Sequence, residues 1–178
     1  MKDFYTRKER NQIFSHIPER TMRFWDDSGL TESAREKEDG RGIQREYAPW
    51  NLYQVGIVEE MASVNFPVSL IKSIMEKHFN GKDAAGKPKV LQYSDKLFGI
   101  AMGRGRKLKR FPYFKFAFGK ADNSAELMAK LLEPLELDNI VSQKLFEQPP
   151  KPSVVIILNL PEIIEKVNFY VSKAGLES

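Results

Sequence analysis

The chain has 178 residues, of which 42% are hydrophobic and 29% charged, with a formal net charge of +4. That length allows one medium domain or two small ones, and the composition is that of a globular chain, which excludes general disorder. Cysteine is absent, which excludes disulfides, zinc fingers and thiol switching.

The two histidines, His16 and His78, fall in different predicted elements, so neither a metal site nor a cofactor is expected. No window approaches the roughly 18 apolar residues of a membrane helix. Met1–Thr6 lacks the apolar run of a signal peptide. A cytoplasmic protein without membrane contact is the expectation. The charge is uneven. Residues 1–50 carry ten Lys/Arg against ten Asp/Glu, whereas residues 82–120 carry eleven against two.

Thr6 with Glu9 fits a capping box and predicts a first helix over residues 7–14. Ser15-His16-Ile17-Pro18 makes the turn into a second helix, which Asp27-Ser28-Gly29 stops before the apolar Leu30. Arg20 and Arg23, three apart, share a face of that helix. Residues 31–46 are polar and read as a long loop or a β-hairpin around Asp39-Gly40-Arg41-Gly42. Apolar spacing predicts a third helix over 49–64, and Asn65-Phe66-Pro67 breaks it. A fourth follows over 67–79, with Val68, Ile71, Ile74 and Met75 in register. Gly81, Gly86 and Pro88 mark residues 80–88 as a linker between a domain at 1–79 and one at 89–178.

The second part reads as α+β with a mostly antiparallel sheet. Short strands are predicted at 89–94 and 97–102. Residues 111–118 alternate with period two, placing Phe114, Phe116 and Phe118 on one face. Asn123 with Glu126 caps a helix over 124–133, and a short helix is predicted at 138–147. Val154-Val155-Ile156-Ile157-Leu158 suits a buried central strand. Pro161-Glu162 opens a last amphipathic helix with Ile163, Ile164, Val167, Tyr170 and Val171 inward. That helix either covers the sheet or makes a dimer contact through Ile163, Val167 and Tyr170.

Arg20-Thr21-Met22-Arg23-Phe24-Trp25 followed by Gly29-Leu30, then Arg45-Glu46-Tyr47, then Asn65-Phe66-Pro67-Val68 through Ile71, occur in one order. They resemble, over residues 4–79, the winged helix-turn-helix of the MerR family of transcription regulators, with its Arg-Thr-Leu-Arg-Tyr-Tyr, Gly-Leu, wing Arg-x-Tyr and Gly-Phe-Ser-Leu. The resemblance implies a double-stranded DNA partner, contacted by Arg20, Thr21, Arg23, Trp25, Arg41, Arg45 and Tyr47. Arg20 would meet the groove or a nearby phosphate, and Arg23, Trp25, Arg45 and Tyr47 would clamp the backbone. The alternative reading is that Trp25, and less so Tyr47, is simply a core aromatic. The family usually dimerises through a long helix directly after this module. Here Gly81, Gly86 and Pro88 interrupt the chain, so a homodimer would need another surface. Arg7, Arg10 and Asn11 also stand where the family usually has apolar or small side chains.

Gly103-Arg104-Gly105-Arg106-Lys107-Leu108-Lys109-Arg110 is a basic run without an acid. It reads as a solvated hairpin turn, or as a secondary anion or nucleic-acid contact through Arg104, Arg106, Lys107, Lys109 and Arg110. No phosphate-cradling loop, nucleophile elbow or histidine pair is present, so no enzyme is expected. The expected function is sequence-specific transcription regulation, with the second domain sensing a small-molecule effector or making the assembly. An architectural or mobile-element DNA-binding protein is the alternative.

Overall fold

The computed structural model describes residues 2–39, 42–104, 112–133 and 154–176, the side chains of 37–43 and 103–113 excepted. The chain forms two compact units. One joins Met1–Ser94 to Glu162–Ser178, and the other is Asp95–Pro161.

The first unit begins with β1 (Tyr5–Thr6) and α1 (Arg7–Ile13). The capping box at Thr6 and Glu9 forms as the sequence predicts. Thr6 Oγ1 accepts the Glu9 N–H at 3.2 Å, and the Glu9 carboxylate accepts the Thr6 N–H at 2.8 Å. That backbone N–H, followed by Lys2, holds the Glu9 carboxyl below its usual range. Helix α2 (Glu19–Asp27) enters through Pro18 and ends at Gly29, whose φ of +72° only glycine adopts freely. The Leu30 N–H bonds the Trp25 carbonyl at 2.9 Å and the Gly29 N–H bonds Asp26 at 3.0 Å, which is a Schellman closure.

The polar stretch after Leu30 is a hairpin, β2 (Arg35–Asp39) with β3 (Gly42–Tyr47), and β1 pairs with the other edge of β3. Helix α3 (Pro49–Ser63) is buried along most of its length, with Leu52, Val55, Ile57, Val58 and Met61 at 1% exposure or less. Its buried amides are satisfied in a chain. Asn51 accepts the Ala48 N–H, and Gln54 donates to the Phe79 carbonyl at 3.1 Å and to Glu32 at 3.3 Å. Helix α4 (Val68–Ile74) runs into a π turn, Met75–Phe79.

The stretch read as a linker is a fastened turn. Lys82 bridges Pro88, and the half-buried Asp83 accepts the Ala85 and Lys87 N–H groups. Glu32 accepts the Gly81 N–H at 2.7 Å. Residues Lys89–Tyr93 form a 3-10 helix, not the predicted strand. Pro88 fixes the entry angle, and the segment buries Val90 while leaving Leu91 exposed, so no sheet face is made.

The last helix, α6 (Leu160–Lys173), buries Ile163, Val167 and Val171. It crosses α3 at Gly56, where a Cβ would lie 2.7 Å from Val167 Cγ2 and 3.0 Å from Ile163 Cγ2. Tyr53 donates to Asn168 at 3.2 Å, and Lys166 pairs with Glu60 at 2.7 Å. Burial opposes the Lys166 charge, but Glu60 and Glu59 outweigh it and raise its pKa. Ile163 and Val167, read as dimer contacts, are therefore engaged by the chain's own α3.

In the second unit β4 (Lys96–Arg104) lies between β5 (Pro112–Lys120) and β6 (Val154–Asn159), all antiparallel. Among the described residues β4 is the central strand and β6 an edge, with Val154 46% exposed, so the apolar run at 154–158 does not mark the centre. An apolar run reports side-chain environment but not how many neighbours a strand has. Helix α5 (Ser124–Leu132), capped by Asn123 as predicted, lays Leu127 and Leu131 on Gly99, Gly119, Leu97 and Ala101. Phe114, Phe116 and Phe118 share the other face with Phe98, and the Phe98 and Phe118 rings are 4.8 Å apart. The helix expected at 138–147 lies outside the described residues.

Candidate nucleic-acid interface

Helix α2 turns Met22 and Trp25 inward, at 1% and 7% exposure, and leaves Arg20, Arg23 and Phe24 outside, with Thr21 half-buried. Among the described residues neither Arg20 nor Arg23 makes an ion pair or a hydrogen bond. The two guanidinium groups are held on a fixed scaffold with their donors unspent, which suits phosphate and base edges.

What fixes the scaffold is Asp26. The Arg10 guanidinium, 1% exposed, donates to both of its oxygens at 2.7 and 2.9 Å. Thr31 Oγ1 donates at 2.7 Å and the Tyr47 hydroxyl at 3.0 Å. Arg10 also lies 4.2 Å over the Tyr47 ring. One buried carboxylate thus ties α1, α2, the chain after Gly29 and β3 together. Burial pushes the Tyr47 phenol up; Arg10 acts against that and Asp26 with it.

This corrects two of the site residues. Tyr47 is fully buried and Trp25 nearly so, and neither ring is placed on the surface as a backbone clamp. Both are scaffold aromatics, because a phenol bonded to a buried carboxylate and an indole facing the core are already in use. Arg45 sits at the edge of the same cluster. It pairs with Glu36 at 3.0 Å, directly across the hairpin, and lies 3.8 Å from Asp26 and from Asp27. Burial works against its charge, yet Asp26 and Glu36 prevail and raise its pKa. Its donors are partly committed, unlike those of Arg20 and Arg23. Arg41, Arg106, Lys107, Lys109 and Arg110, and the Arg104 side chain, lie outside the described residues.

Residues 15–78 match the family of MerR helix-turn-helix regulatory proteins. This segment is a MerR-family helix-turn-helix. The match covers less than half of the chain, and it supports a DNA-binding transcription regulator. No curated protein matches the chain. In the unit that holds this segment, the sequence did not reveal Arg10 and Asp26 as a pair or Phe24 as a surface residue. An arginine one turn before Ile13 and Phe14, on the inward face of α1, was the available signal for a buried ion pair. Its partner sixteen residues on has no local signature. Among the described residues no cluster of potential metal ligands occurs, and no helix is long and apolar enough to cross a membrane.

Proposed function

We propose that the chain is a sequence-specific regulator that reads double-stranded DNA with the outer face of α2. Arg20 and Thr21 approach base edges, Arg23 holds phosphate, and Phe24, half exposed beside them, covers sugar or a thymine methyl. The observation that carries this reading is the exposed Arg20 and Arg23 pair, without ion-pair partners among the described residues, on a helix pinned from behind by the Asp26 cluster.

Arg45 joins as a phosphate contact once DNA competes with Glu36 for it. The unit at 95–161 senses an effector or makes a homodimer, and the protein acts in the cytoplasm by binding, not by catalysis. Selection of bound sequences from random duplex DNA tests the proposal. Enrichment of a defined motif is expected, with altered base preference in Arg20→Ala and uniformly weaker binding in Arg23→Ala. Recovery of unenriched DNA would refute it.

A further inference from the structure

We propose that the cleft at the base of the wing binds a planar aromatic anion, such as an arene carboxylate. The cleft measures about 500 Å³, within the range of small-molecule sites. Its walls include Phe4 and Trp50, both half-buried, and its floor includes Ala48 and Pro88. Two cations stand at its rim. Arg35 and Lys82 are exposed, and among the described residues neither makes an ion pair.

Arg35 lies 4.1 Å over the Phe4 ring. That arrangement presents a flat guanidinium already ordered against an aromatic face, which pairs well with a carboxylate on a flat ring. Trp50 stands in the first turn of the 15-residue α3, where the helix dipole favours negative charge. Apolar walls, a cationic rim and a helix start therefore converge on one ligand chemistry. Glu32 also lines the cleft, but it is committed to the Gly81 N–H at 2.7 Å and the Gln54 amide at 3.3 Å. The neighbouring cleft, about 380 Å³, shares Arg35 but is lined also by Asp26, Glu32, Glu36 and Arg45, so its carboxylates outnumber its cations and it does not suit an anion.

The cleft is lined both by Ser33, Ala34 and Arg35, where the wing begins, and by Gly81, Lys82, Gly86 and Pro88. A bound anion would therefore span the wing and the turn that follows α4. Its binding does not depend on the DNA-reading role of α2 and is measured without DNA.

The test is calorimetric titration of the full chain with 2-naphthoate and, separately, with the neutral 2-naphthamide. Saturable one-to-one binding of the acid is expected, with a dissociation constant below about 1 mM. The amide and an Arg35→Ala/Lys82→Ala chain should each bind about tenfold more weakly or less, and this double variant, altered only at exposed positions, should keep its melting temperature. No saturation by the acid up to about 5 mM, equal affinity for acid and amide, or unchanged affinity in the double variant each overturns the proposal.

Discussion

Replacing Asp26 by Ala removes the acceptor of four described contacts at once. The Arg10 guanidinium, 1% exposed, loses both bonds to the carboxylate, and the Thr31 and Tyr47 hydroxyls lose theirs. The dominant cost is the charge left behind, not the bonds themselves. An uncompensated buried ion costs about 3–5 kcal/mol when one partner of a buried pair is deleted. At about 4 °C per kcal/mol for a unit of this size, melting should fall by roughly 12–20 °C. Arg10→Met with Asp26→Leu removes both charges and should recover most of that loss, because the desolvation penalty goes with them. Circular dichroism melts of Arg10→Met, Asp26→Leu and the double variant form the cycle. A loss below about 1 kcal/mol in Asp26→Ala, or additive losses in the double, would refute the buried-pair reasoning.

At the α3–α6 crossing, Gly56→Ala puts a methyl 2.7 Å from Val167 Cγ2. Overpacking of about 1–3 kcal/mol outweighs the gain of about 1 kcal/mol in helix propensity. The variant should melt lower, and Val167→Ala should partly rescue it; a stabilised Gly56→Ala contradicts the close approach. On the wing, Glu36→Gln frees Arg45 and should tighten DNA binding about two- to fivefold in fluorescence anisotropy. That gain should vanish in an Arg45→Ala background, and weaker binding would show that Glu36 orients Arg45 instead. The lowered Glu9 pKa adds stability that is present above the ordinary carboxyl value of 4.5 and is lost as pH falls below it. Urea midpoints of Glu9→Gln and the parent chain should therefore converge in that acid range, and a constant gap would contradict the linkage.

Local rules carried far in this chain. The Thr6–Glu9 box, the Gly29 closure and the Asn123 cap were legible because each needs only residues three to five apart. The period-two face of Phe114, Phe116 and Phe118 was legible for the same reason. What escaped was long-range. The Arg10–Asp26 pair joins two helices, and Val167 meets Gly56 across more than a hundred residues. A glycine within an apolar helical pattern signals close approach, but it does not name its partner. Tyr47 shows the limit of a motif. The residue sits where the family pattern has its Tyr, yet its hydroxyl is bonded to Asp26 inside the unit.

The DNA-reading role of α2 rests on Arg20 and Arg23 meeting DNA phosphate or base edges. Its most direct test is the slope of log affinity against log salt concentration, compared between the parent chain and Arg20→Ala/Arg23→Ala on the selected duplex. Each lost phosphate contact lowers the slope by about 0.9, so the double variant should show a slope shallower by roughly 1–2. Parallel slopes with equal affinity would contradict the account, because DNA would then be held by some other surface.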